Sequence, residues 1–179
     1  MSNMGIFSRR HSNKKLLNDD RIATKEMLKE ELKYHSVRKI DPTEIRTAMD
    51  ISQRSLSERY SKELMHEIYG AWPDGFMVYS TESDILGFLA GKRVTQSEAR
   101  ILMLATTEKY RSLGIGSELI ENFVQTCRNY GIITVRLEVR IDNKRGIEFY
   151  QRHGFIVTSI LRNYYSDGSD AYVMWKQLI

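Results

Sequence analysis

Cysteine is nearly missing from this chain of 179 residues: Cys127 stands alone, so an internal disulfide is excluded. That usage fits a reducing, cytoplasmic setting. No run approaches the roughly 18 consecutive apolar residues of a membrane-spanning helix, which excludes that class. The opening MSNMGIFSRRHSNKK has no apolar centre and so does not read as a secretory signal peptide. It also has no acid before Asp19, a faint likeness to an organellar transit peptide. The four histidines (His11, His35, His66 and His153) lack metal-ligand spacing, and no metal is expected. Neither sign of charge dominates, since the net charge is +4. Residues 1–35 hold most of that excess, with eight Lys and Arg against five Asp and Glu. A basic arm of this kind could touch RNA or a ribosome surface, but a solvated extension is the favoured reading.

What is present is the composition of a soluble globular domain, 41% hydrophobic and 28% charged, in a chain long enough for one full core. A boundary falls near residues 34–38. Residues 1–35 read as a basic N-terminal extension, helical or disordered, and residues 36–179 as one domain. Within the extension, residues 19–35 have the pattern of a polar helix, with Asp19 and Asp20 at its start and a loose stripe of Ile22, Met27, Leu28 and Leu32. Then SVRKI gives a short strand, and Asp41-Pro42 gives a helix start running to about Gln53. Ser61 to Tyr69 is a second helix, ended by Gly70. GFMVYS and ILGFLAGKRV flank a turn at Thr81–Asp84 and form a hairpin. ARILMLAT, residues 99–106, is almost wholly apolar, as a strand buried on both faces would be. Helical spacing over 114–130 places Ile115, Leu119, Ile120, Phe123, Val124 and Cys127 on one face. A strand over 132–139, a helix over 143–152 and strands over 155–161 and 171–176 complete the chain. The order βααβββαβαββ implies an α/β (α+β) fold: one mixed, mostly antiparallel sheet flanked by helices.

Between the ARILMLAT strand and the next helix lies YRSLGIGSELI. A dinucleotide fingerprint needs a third glycine where Leu119 stands, and a P-loop needs Lys-Ser/Thr where Ser117-Glu118 stands; both fail. What remains is R-x-x-G-x-G opening a helix. Free amides at a helix start suit a pyrophosphate, and glycine permits close approach and positive φ. On its own this pattern is also an ordinary strand-to-helix turn.

Further motifs accompany it: LEVR at 137–140, N-x-x-x-I-x-F-Y at 143–150, HGF at 153–155 and RNYYSDGSDAYVM at 162–174. With the glycine loop, they resemble the GNAT superfamily of acetyl-CoA-dependent N-acetyltransferases. Within it they are similar to the protein N-terminal acetyltransferase branch, the RimI type and its archaeal and eukaryotic relatives. The resemblance covers about residues 36–178. It implies transfer of acetyl from acetyl-CoA to the α-amino group of a protein or peptide N-terminus, by direct attack in a ternary complex. Glu138 matches the family's general base, acting through water, and Tyr150 the acid facing the coenzyme A sulfur. The resemblance assigns coenzyme A to Leu104, Ala105 and Thr106 through a bulged strand, to Arg111, Ser112, Leu113, Gly114, Ile115, Gly116 and Ser117 through the phosphate loop, and to Asn143, Gln151 and Arg152. It assigns the acceptor peptide to Leu56, Glu58 and Tyr60 in LSERY, where the family more often has proline at Ser57, and to Tyr164 and Tyr165. Arg100 departs from the pattern and puts a second general base in doubt.

Each residue also has a plainer reading. Glu138 is a lone acid on a strand; Tyr150 is a packed aromatic; Asn143 suits a helix cap. Cys127 belongs to an apolar helix face, a core thiol rather than a nucleophile. His153, at a helix end, reads as structural. The rival functions are acetylation of lysine side chains or of a small amine and, outside enzymes, an acyl-CoA-binding or ribosome-docking module.

Overall fold

The computed structural model describes residues 22–178. The described chain falls into two compact units that part between His35 and Ser36. In the first, residues 22–31 form helix α1. Leu28 and Leu32 are buried, whereas Ile22 and Met27 are exposed, so only half of the expected stripe is realised. Asp19, Asp20 and the arm's Arg9, Arg10, Lys14, Lys15 and Arg21 lie outside the described residues.

The elements from His35 onward are β1 (His35–Lys39), α2 (Ile45–Ser55), α3 (Lys62–Ala71), β2 (Phe76–Thr81), β3 (Ile85–Arg93), β4 (Glu98–Thr106), α4 (Ile115–Asn129), β5 (Thr134–Arg140), α5 (Lys144–Arg152), β6 (Ile156–Leu161) and β7 (Ala171–Gln177). This is the order the patterning implied. The strands form one sheet, β1-β2-β3-β4-β5-β7-β6. The β4–β5 pair is parallel; β2–β3, β3–β4, β5–β7 and β6–β7 are antiparallel.

Local chemistry explains most boundaries. Asp41 caps a 3-10 turn, Pro42–Glu44, that leads into α2: its carboxylate accepts from Thr43 N at 2.9 Å, and Glu44 accepts from Asp41 N at 2.9 Å. Ser61 caps α3 by accepting from Leu64 N. Gly70 does not end α3, which runs to Ala71; Pro73, lacking an N–H and restricting the residue before it, is the stop. In α4 all six residues of the expected stripe are buried.

Strands β2 and β3 are buried on both faces. Phe76, Val78, Phe88 and Ala90 pack with Ile45, Ala48, Ile51, Met65 and Ile68 of α2 and α3. Phe123 of α4 lies against the backbone at Gly91, where an added Cβ would come within 2.4 Å of its ring. The apolar strand expected to be buried twice over is instead β4, which alternates buried and half-exposed residues. The reason is its pairing. A register shift leaves Leu102 unmatched between Ala90↔Met103 and Gly91↔Ile101, a β-bulge. The β4–β5 ladder ends at Ile101↔Leu137, so the two strands part and residues 102–106 of β4 face a cleft.

Candidate active site

Where β4 and β5 separate, a cleft of about 810 Å³ opens, lined from β4, β5, the α2–α3 loop and the starts of α4 and α5. At one end lies the glycine loop. Gly114 has φ +97°, a conformation costly for any residue with a Cβ, and a Cβ built there would meet nothing within 4 Å. Ser112 is also left-handed, at φ +65°, and its hydroxyl accepts from Arg145 Nη2 at 2.6 Å. Helix α4 follows Gly114 with no side-chain cap on its first amides, Ser117 N already donating to the Gly114 carbonyl at 2.9 Å, and its dipole favours an anion. Such a geometry suits an anionic group such as phosphate. Beside it, Asn143 caps α5 by accepting from Gly146 N at 2.9 Å, and Phe149 and Tyr150 stand on the wall.

Alternation along β5 places Arg136, Glu138 and Arg140 on one side, with Val135, Leu137 and Val139 buried on the other. Glu138 is not a free carboxylate. Its side chain is 4% exposed, Arg136 Nη1 donates to one oxygen at 2.6 Å, and Arg100 Nε to the other at 2.7 Å. Arg136 also donates to Glu98 at 2.7 Å, and Arg100 to the Tyr164 hydroxyl at 2.5 Å. The result is an alternating chain, Glu98–Arg136–Glu138–Arg100–Tyr164. Among the described residues these two bonds occupy two of the roughly four lone-pair sites on the Glu138 carboxylate.

The Tyr150 ring packs edge-on against Phe149 and Phe155, and burial pushes its phenol well above the usual value, with Tyr60 adding to the shift. Burial does the same to Tyr165 and, more mildly, to Tyr60. These hydroxyls therefore stay protonated and are able to donate. Cys127 is fully buried and its thiol is pushed up to about 12, the reverse of a nucleophile. His153 donates from Nδ1 to the Phe149 carbonyl at 2.8 Å and packs on that ring, which accounts for it structurally.

Of the residues singled out in the sequence, Glu138, Tyr150, Leu104, Ala105, Thr106, Arg111, Ser112, Gly114, Ile115, Gly116, Ser117, Asn143, Arg152, Leu56, Glu58, Tyr60 and Tyr165 line the cleft. Leu113, Gln151 and Tyr164 do not. Gln151 follows Tyr150 by about 100° of helical turn and is exposed. Tyr164 meets the site indirectly, through its hydroxyl's bond from Arg100 and an edge-on contact with the Tyr165 ring. Arg140, Arg145, Tyr110 and Phe149 line it without having been foreseen. For Arg140 a signal existed, since it shares the parity of Glu138 on the strand; for Arg145, an arginine near a helix start, there was none. Among the described residues no group of His, Cys, Asp and Glu could hold a metal ion, and no helix is long and apolar enough to cross a membrane.

The model of the Acetyltransferase (GNAT) family matches residues 45–155. The N-alpha-acetyltransferase 30 of Schizosaccharomyces pombe is 32% identical over 124 residues, which span 67% of this chain and 83% of that protein. The N-alpha-acetyltransferase of Sulfurisphaera tokodaii is 27% identical over 154 residues, covering 79% and 92%. Among solved structures, Ard1 from Thermoplasma volcanium superposes with a TM-score of 0.79 at 41% identity, covering 81% of this chain and 98% of its own.

Proposed function

The chain belongs to the acetyltransferase (GNAT) family, and on that premise we propose that it transfers the acetyl group of acetyl-CoA to the α-amino group of a protein or peptide N-terminus. The observation that carries this reading is the parting of β4 and β5 after Ile101↔Leu137, which joins a phosphate cradle to an open, loop-walled acceptor end in one cleft. The relatives named above support the choice of acceptor.

The residues present suit a pyrophosphate-bearing thioester. The open space at Gly114 and the uncapped start of α4 would hold the pyrophosphate. The free edge of β4 from Leu102 to Thr106 offers backbone groups without a ladder partner in β5, to pair with an amide-containing arm and to polarise the acetyl carbonyl. Acetyl-CoA, when bound, supplies the activated acyl carbon.

The acceptor must shed a proton, because an α-ammonium of pKa about 8 is mostly charged at pH 7. Glu138 takes that proton through water bound at its remaining lone-pair sites, while Arg100 and Arg136 fix its position. Tyr150 faces the departing thiolate. A thiol has a pKa near 8.5, below that of a buried phenol, so Tyr150 steadies the thiolate by donating a hydrogen bond rather than by giving up its proton outright.

The deciding experiment mixes the protein with acetyl-CoA and three peptides: one with a free N-terminus and no lysine, one blocked at the N-terminus with lysines, and one with both features. A gain of one acetyl on the free α-amine, located by fragment masses, is the expected result. Acetylation confined to lysine would replace this reading with a side-chain acetyltransferase, and binding of coenzyme A without transfer would leave only a binding module.

A further inference from the structure

Arg140 is the last residue of β5, and its side chain, 16% exposed, touches three separate segments. Its Nη1 donates to Glu58 Oε1 of the α2–α3 loop at 3.4 Å. Its Nη2 donates to Ser169 Oγ at 2.7 Å and to the Asp167 carboxylate, both in the β6–β7 loop. The guanidinium carbon lies 4.5 Å from the centre of the Tyr165 ring in that same loop, a stacked cation–π contact. Nε faces Asp142 of the β5–α5 turn at 3.7 Å. The two loops also meet directly, Ser166 Oγ donating to Glu58 Oε2 at 2.9 Å. Within the β6–β7 loop, Tyr164 N and Tyr165 N donate to the Ser169 carbonyl and Ser169 N donates to Asp167, so the loop is a compact unit that can be held at one point.

Glu58, Arg140 and Tyr165 all line the cleft. We propose that Arg140 is a positioning residue that clasps the α2–α3 and β6–β7 loops at one fixed spacing, and so sets the cleft's grip on acceptor residues beyond the first. The guanidinium suits the task because its planar fork offers donors in several directions at once, and lysine offers one point charge. The Asp167 carboxyl, held down at about 2 by Ser169 and Arg140, stays charged at any pH used for assay.

The inference rests on peptide acetylation as proposed above and makes a distinct demand: the clasp matters in proportion to acceptor length. In the full-length protein, Arg140→Gln and Arg140→Lys are compared with wild type on a tetrapeptide and on a single amino-acid amide. Arg140→Gln is expected to raise KM for the tetrapeptide roughly 10- to 100-fold, the scale of an ångström-sized misplacement. The KM values for the amide and for acetyl-CoA should hold, and Arg140→Lys should recover only a minor part of the loss. Amide hydrogen exchange of residues 56–61 and 162–170 is followed in parallel, and both loops should open faster together in Arg140→Gln. Equal losses on the two acceptors, or full rescue by lysine, would overturn the clasp. So would exchange that is unchanged, or raised in one loop alone. If wild type acetylated no peptide at all, the proposed function would fall, while the exchange measurement would still decide the clasp.

Discussion

At the scale of single residues, the site turns on how a charge is held. Glu138 would be a simple base if it stood alone, yet both of its oxygens accept from guanidinium groups. Glu138→Gln would therefore act twice. It leaves Arg100 and Arg136 facing a neutral amide, at a stability cost of about 3 kcal/mol, the low end for breaking a buried pair. It also removes the proposed proton acceptor, which should lower kcat/KM by roughly 10²- to 10⁴-fold at pH 7. The sign of the pH dependence separates the roles. Below about pH 8 the acceptor amine is protonated and needs the base; above it the amine deprotonates unaided. The deficit should therefore shrink from pH 6 to pH 9, with acetyl-CoA affinity unchanged throughout. A deficit constant with pH would reduce Glu138 to a positioning role. Its place on the strand was legible in the sequence from the alternation of LEVR, but its partners were not. Arg100 is 38 positions away in the chain and meets Glu138 only because β4 and β5 lie side by side.

At the scale of elements, the glycine loop proposed to hold phosphate is as well placed as helix α4, and α4 is seated through Phe123 on the backbone of β3. An added Cβ at Gly91 would meet the Phe123 ring at 2.4 Å and the Arg100 carbonyl oxygen at 3.1 Å, and neither the buried ring nor the sheet backbone can yield freely. Gly91→Ala is expected to cost about 1–3 kcal/mol by overpacking. That lowers Tm by several degrees in a domain of this size. Because relief comes by lifting α4, KM for acetyl-CoA should rise more than KM for the peptide; calorimetric melting and steady-state kinetics check the two parts. A variant as stable as wild type, with both KM values unchanged, would show that Phe123 can swing away. The stripe of α4 was fully readable, since helix burial follows a local period of 3.6. The behaviour of β4 was not. Its apolar run signalled burial on both faces, whereas the bulge at Leu102 and the loss of pairing after Ile101 turn half of it toward the cleft.

At the scale of the whole molecule, the sheet and the core around Phe76 and Phe88 are built from His35 onward. Removing residues 1–34 should leave kcat/KM on short peptides within about threefold of the full chain, as measured by steady-state acetylation; collapse of activity would make the extension part of the catalytic unit. What the sequence determined by itself is what short-range physics controls: the caps at Asp41, Ser61 and Asn143, the period of each helix and strand, and a glycine loop that fits phosphate but neither common nucleotide fingerprint. Only the tertiary structure decided where β4 leaves β5, which charges neutralise Glu138, and that one guanidinium ties Glu58 to a loop more than a hundred residues further along the chain. The division follows from range. A cap or a stripe is fixed by neighbours within one or two turns, whereas a salt bridge between distant residues exists only after strand register has set them facing one another.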